Sequence, residues 1–130
     1  MTDKSEAISY WLKSAEHDME SSLAIFSSGR YDWSLFVAHL ALEKALKALW
    51  IKNNSEIIPP RTHNLVRLAE EANLDLSDNE KLFLYEVNDF NLETRYPDKK
   101  FDFYKKCSKN FAEEYLKKIK EFFECILKQL

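Results

Sequence analysis

The stretch from Arg30 to Lys52 constrains the fold of this chain more than any other part. It reads RYDWSLFVAHLALEKALKALWIK and is apolar around most of a helical circumference, with Glu43, Lys44 and Lys47 grouped within about one turn. A helix this apolar is stable only when other helices cover it. The stretch therefore predicts the central helix of a bundle, and its charged group is a first candidate for a site.

The scarcity of chain breakers favours the same fold class. One glycine and three prolines among 130 residues leave few of the tight turns that an all-β fold requires. The length suits one domain with a substantial core. We expect a single all-α domain over residues 1–130, an up-and-down helical bundle of four longer helices plus one short helix. No apolar run approaches the length of a bilayer span, which predicts a cytoplasmic protein without membrane contact.

Apolar residues at steps of three and four place the helices, and capping residues place their ends. Ser5 is the candidate cap of the first helix, and Gly29 is its stop signal. The predicted elements are a helix from Ser5 to Ser28, a helix from Tyr31 to Lys52, a loop from Asn53 to Thr62, a short helix opening at Thr62 or His63, a fourth helix from the Ser77 capping box to about Asn91, an interruption from Leu92 to Asp102 around Pro97, and a last helix from Ser108 to Leu130.

The second helix divides into two arcs. Alanine and leucine residues cover about half of its circumference and should form the core seam of the bundle. The other arc carries four large apolar residues beside the charged group, and a solvated face would not normally hold them. We expect this arc to be covered by another helix or by another subunit, with a dimer face favoured, although stacking of nucleobases is an alternative use. Its apolar members are Trp33, Phe36, Leu40 and Trp50.

Composition also excludes several kinds of site. A net charge of −3 argues against the large basic footprint that duplex DNA requires. A single glycine excludes a glycine-rich phosphate loop. Cys107 and Cys125 lack the spacing of metal ligands, so we expect two free thiols, no metal and no cofactor.

Arg95 and Tyr96 are the leading candidates for ligand binding. A guanidinium offers a planar fork for phosphate, and an aromatic ring offers a stacking surface for a base. Lys44 and Lys47 can add positive charge, and Asp18 would need a cation such as Lys44 or Arg95 if it were buried.

Each candidate also has a purely structural interpretation. Arg95 can bind the carbonyl groups at a helix end, and Glu43 and Lys47 are spaced as a stabilising helical pair. His39 is interpreted as a packed histidine or, alternatively, as a general base. His63 is interpreted as a local cap at the start of a helix.

Four segments in order resemble the HEPN domain family. They are SAEHDMESSLAIF in the first helix, FVAHLALEKALKALWIK in the second, PPRTHNLVRLAEEA in the loop and third helix, and TRYPD after the fourth helix. The resemblance implies a compact, usually dimeric bundle of prokaryotic origin. It also implies frequent pairing with a minimal nucleotidyltransferase and a role in nucleotide or RNA binding.

One branch of that family consists of ribonucleases of toxin–antitoxin systems, which use an Arg-x(4–6)-His motif. From Arg95 the histidine would fall at Lys100, Phe101 or Asp102, so the motif is absent. The resemblance therefore favours a non-catalytic nucleotide- or RNA-binding module over an enzyme. Two alternatives remain: a metal-independent ribonuclease in which His39 or His63 substitutes, and a purely structural protein-interaction partner.

Overall fold

The chain is all-helical in the computed structural model, which describes residues 3–130 except for the side chains of residue 92 and of residues 97–101. Within that range there are helices and connecting loops but no strand, which confirms the predicted fold class. The helices are α1 (Lys4–Ser27), α2 (Tyr31–Asn53), α3 (Leu65–Glu71), α4 (Asp78–Arg95), α5 (Pro97–Lys106) and α6 (Lys109–Gln129).

Helix α2 lies at the centre, as its apolar circumference predicts. It contacts each of the other five helices. The connection between α1 and α2 is short, so the two helices pack along each other in opposite directions. The alanine and leucine arc of α2 is fully buried in the core. It consists of Leu35, Ala38, Ala41, Leu42, Ala45, Leu46, Ala48 and Leu49.

Several helix ends agree with the sequence, and two do not. Gly29 has φ +87°, the left-handed conformation expected after α1. Ser77 and Glu80 form the predicted capping box at α4. At α1 the prediction of Ser5 is wrong, because the Asp3 side chain accepts from the Glu6 backbone N–H at 2.8 Å. At α3 the cap is Asn64 rather than Thr62 or His63.

The interruption predicted around Pro97 is instead a junction between two helices. Helix α4 continues to Arg95, and α5 begins at Pro97. Proline fits the first turn of a helix because the N–H groups there have no intrahelical acceptor. Tyr96 is extended, as expected before a proline. The bundle thus has four longer helices and two short ones, rather than one short helix.

The aromatic arc of α2 is divided between core and surface. Trp50 is only 8% exposed and belongs to the core, so its assignment to a dimer face is wrong. Trp33 is 38% exposed, and Phe36 and Leu40 are half-buried. Over the described residues, no helix combines the length and hydropathy needed to cross a membrane.

Candidate functional site

Four buried polar residues form a line along α2, which we call the polar seam: Asp32, His39, Glu43 and Lys47. A helix turns about 100° per residue, which places the first three within about 40° of one another and Lys47 close beside them. Each is less than 9% exposed. Burying four polar groups costs free energy unless each finds a partner, so their contacts identify where a site can lie.

Glu43 is the centre of the seam. Its Oε2 accepts from Lys47 Nζ at 3.1 Å, and its Oε1 lies 2.7 Å from His63 Nδ1. Lys47 also lies over the Trp11 ring, 5.2 Å from its centroid, so α1 covers this cation. The carboxylate thus joins a buried ammonium group to an imidazole whose side chain is 58% exposed. The prediction that His63 acts as a helix cap is wrong, because Asn64 fills that role.

A network of asparagines fixes the backbone beside His63. Asn88 on α4 accepts from the Leu65 backbone N–H at 2.8 Å and donates to the Asn64 side chain at 3.1 Å. Asn64 in turn accepts from the next two N–H groups of α3, those of Val66 and Arg67. The loop is therefore attached to α4 as well as to its own helix, which holds the imidazole over Glu43.

His39 lies beneath this loop and is completely buried. Its Nε2 is 3.4 Å from the His63 carbonyl oxygen, and its Nδ1 has no hydrogen-bond partner among the described residues. Burial lowers the pKa of His39, Glu43 opposes the shift, and the positive charge of Arg95 adds a smaller lowering effect. The buried position therefore favours the neutral form of His39. Helix α4, which ends at Arg95, packs against α2.

Arg95 is an exposed cation held by its own helix. Its Nη2 donates to Asn91 Oδ1 at 2.8 Å, and its Nε donates to the Asn91 carbonyl at 3.3 Å. The guanidinium lies 5.9 Å from the centroid of the exposed Tyr96 ring. Because Asn91 accepts from two of its N–H groups, the guanidinium is held in one orientation. Its Nη1 donates to no described residue.

Asp18 and Lys44 form a separate ion pair between α1 and α2. The Lys44 Nζ lies 2.6 Å from Asp18 Oδ2, although the contact falls outside hydrogen-bonding angles. Lys44 follows Glu43 directly and therefore points about 100° away around the helix. No contact joins this pair to Arg95 among the described residues. Of the charged group seen in the sequence, Glu43 and Lys47 thus belong to the polar seam, and Lys44 lies on another face of α2.

The structure brings together a different set from the one that sequence reasoning selected. Glu43 contacts both Lys47 and His63, His39 contacts the His63 carbonyl, and Arg95 and Tyr96 lie together at the end of α4. Asn91 and Asp32 were not identified from the sequence. The spacing of positions 32, 39 and 43 was a usable signal, because it repeats on one helical face.

The arrangement suits anion binding and proton transfer better than metal binding. An oriented guanidinium recognises phosphate or carboxylate oxygens. An imidazole with a carboxylate at Nδ1 can exchange a proton through Nε2. The described side chains include no group of three or more His, Cys, Asp or Glu that could hold a metal ion.

Comparison with known proteins agrees with this fold. The profile of the HEPN domain family matches residues 8–130. The chain belongs to the HEPN domain family. Its fold is similar to the crystal structure of TT1696 from Thermus thermophilus, with a TM-score of 0.80 and 22% sequence identity, covering 95% of this chain and 98% of that one. No curated protein matches the chain significantly.

In this HEPN domain the Arg-Tyr-Pro segment at 95–97 forms the junction between α4 and α5. The chain turns there, which presents Arg95 and Tyr96 as neighbouring exposed side chains. The buried seam on α2 and the exposed junction are the two parts of the candidate site.

Proposed function

We propose that this protein is a non-catalytic HEPN module that binds a nucleotide or an RNA end. It acts as a homodimer beside a minimal nucleotidyltransferase. The observation that carries the proposal is the oriented, exposed guanidinium of Arg95 next to the exposed ring of Tyr96. Phosphate matches the guanidinium, and a base can stack on the ring, so one ligand satisfies both.

Local charge supports a small anionic ligand in spite of the net charge of −3. Arg95 is held by uncharged Asn91 groups, so no carboxylate neutralises it among its hydrogen-bond partners. His63 adds an exposed imidazole within the same candidate site. By contrast, Lys44 and Lys47 are already paired with Asp18 and Glu43. Arg95 is therefore the main phosphate contact, whereas the two lysines serve ion pairs within the fold.

The proposed homodimer uses the exposed part of the α2 aromatic arc. Trp33, Phe36 and Leu40 remain partly accessible in one chain, and burying them would remove apolar surface from water. Sedimentation equilibrium should show a dimer, and Trp33→Glu should shift it toward the monomer. A wild-type monomer at all concentrations would exclude this part of the proposal.

Calorimetry with ATP and with a short single-stranded RNA tests the binding function. Arg95→Ala should weaken binding roughly tenfold to a hundredfold, because a hydrogen bond to a charged group contributes about 1.5–3 kcal/mol. Arg67→Ala is the matched control, since Arg67 is an exposed arginine on α3 paired with Glu71. Absence of binding by the wild type to either ligand, with no nucleotidyltransferase recovered in a pull-down, would leave a purely structural role.

A second candidate function is a metal-independent ribonuclease, and the contact between His63 and Glu43 favours it. A carboxylate that fixes the tautomer of a partly exposed imidazole is a common arrangement for general acid–base catalysis. Cleavage of total RNA by the wild type, lost in His63→Ala and retained in His17→Ala, would establish this activity. His17 is an exposed histidine on α1 and serves as the control. Intact RNA after hours at high protein concentration would exclude it.

A further inference from the structure

A groove lies between helices α4 and α6 and shares no lining residue with the candidate site or the proposed dimer face. Its volume is about 440 Å³, within the size range of binding sites in proteins. The backbones of the two helices largely stay apart, and aromatic side chains bridge the gap. The ring centroid of Phe83 on α4 lies 6.3 Å from that of Phe122 and 6.4 Å from that of Tyr115, both on α6. These rings give the groove an apolar floor.

The length of the groove suits a short helix. Its lining runs from Asn79 to Glu86 on α4 and from Lys118 to Cys125 on α6. Each wall is therefore about 10 Å long, given a rise of 1.5 Å per residue, or about two helical turns. An amphipathic helix can lay its apolar face into a groove of this kind.

The charge of the walls limits what that helix can carry. Three carboxylates line the groove, those of Glu80, Glu86 and Glu121. The one lining cation, Lys118, already donates to Glu114 at 3.3 Å. Two of the three carboxylates accept hydrogen bonds from uncharged groups, a backbone N–H and a tyrosine hydroxyl. No ion pair among the described residues joins any of the three to a cation, so the walls attract a positively charged partner.

We propose that this groove docks a basic amphipathic helical segment of a partner protein. Apolar side chains of the segment cover the aromatic floor, and its lysines or arginines face the carboxylates of the walls. An RNA strand does not fit the same groove, because the carboxylates repel its phosphates. The inference goes beyond the proposed nucleotide-binding function, since the groove and the Arg95 site share no residue.

Cys125 allows occupancy of the groove to be measured directly. Its thiol is exposed and lines the groove, whereas Cys107 is buried and desolvation raises its pKa to about 12. A thiol reagent near neutral pH therefore labels Cys125 selectively. A segment seated in the groove covers this thiol, but a peptide held elsewhere on the acidic surface leaves it accessible.

The probe is a synthetic helical peptide of leucine and lysine, with leucines at steps of three and four. It should slow the labelling of Cys125 in proportion to the fraction of protein that has bound it. Alanine in place of its leucines should weaken protection roughly tenfold or more, because less apolar area is buried. Glutamate in place of its lysines should abolish protection.

A charge reversal on the groove wall tests the role of the carboxylates. Glu121→Lys should weaken binding of the leucine and lysine peptide about threefold to tenfold, as expected for an exposed charge. Glu113→Lys is the matched control, because it makes the same change at an exposed position of α6 about 180° around the helix from Phe122. This control should leave protection of Cys125 unchanged.

Several outcomes would overturn the inference. Equal protection in the wild type and Glu121→Lys, or by the lysine and glutamate peptides, would contradict the role of charge. Protection by spermidine but not by the peptide would make the groove a site for a small organic cation. Labelling that slows with rising protein concentration alone would identify a second copy of this chain as the occupant. Protection by the peptide in a wild type that binds neither ATP nor RNA supports the groove and counts against the proposed function alone.

Discussion

Two arcs of helix α2 are buried by different kinds of contact. On one arc of α2, leucines and alanines such as Leu42 are fully buried against other apolar groups. On the other, the polar seam is buried almost as completely but around ion pairs and imidazoles. The apolar arc needs only volume that fits the neighbouring helices. The seam needs specific partners from the loop before α3, and the Nδ1 of His39 still lacks one among the described residues. Helix α2 therefore supplies both the core and the candidate site.

The largest effect is expected from breaking the buried pair in the seam. Glu43→Ala removes the carboxylate between Lys47 and His63 and leaves the Lys47 ammonium buried without an anion. Removal of one partner from a buried pair typically destabilises a protein by about 3–5 kcal/mol. Urea unfolding measures this change. Glu43→Leu combined with Lys47→Met should recover most of the stability, and failure to recover would show that the pair itself stabilises the fold.

A cavity in the apolar arc should lower the free energy of unfolding by about the same amount as the loss of Glu43, or slightly less. Leu42→Ala leaves space beside fully buried neighbours and should lower the free energy of unfolding by about 2–5 kcal/mol. Ligand affinity measured well below the unfolding midpoint should stay unchanged, because Leu42 points away from the seam. A loss of affinity in folded Leu42→Ala would show that the two arcs are not independent. Leu82→Ala, at an exposed residue of α4, is the control.

A smaller effect should follow from acidification. Burial lowers the pKa of His39 below its ordinary value of 6.5, so the unfolded chain binds a proton that the folded chain does not. The stabilisation from neutral His39 is complete above pH 6.5 and declines as the pH falls toward the lowered pKa, by at most about 1.4 kcal/mol per pH unit. Urea unfolding between pH 7.5 and 5.5 should show a shallower decline for His39→Leu. Identical slopes would contradict this account.

The sequence predicted the apolar arc far better than the seam. Buried leucines and alanines repeat at helical spacing, so the central position of α2 followed from periodicity alone. The resemblance of Arg95, Tyr96 and Pro97 to a family motif located the junction, but the start of α5 at Pro97 required knowledge of the backbone. His63 was misinterpreted because its contact with Glu43 spans 20 positions of the chain. Sequence spacing does not show which loop folds over which helix.

The smallest effect on stability is expected for the ion pair between Asp18 and Lys44. This pair uses the one member of the charged group of α2 that lies outside the seam. Their side chains are 16% and 26% exposed, and the contact lacks hydrogen-bonding angles. A double-mutant cycle with Asp18→Ala and Lys44→Ala should give a coupling energy below about 1 kcal/mol, as for other partly solvated pairs. The same cycle on Glu43 and Lys47 should give a clearly larger value. Glu43 and Lys44 are adjacent in the chain and differ chiefly in the direction in which their side chains leave α2. Equal coupling energies for the two ion pairs would therefore show that burial does not strengthen the Glu43–Lys47 pair relative to the Asp18–Lys44 pair.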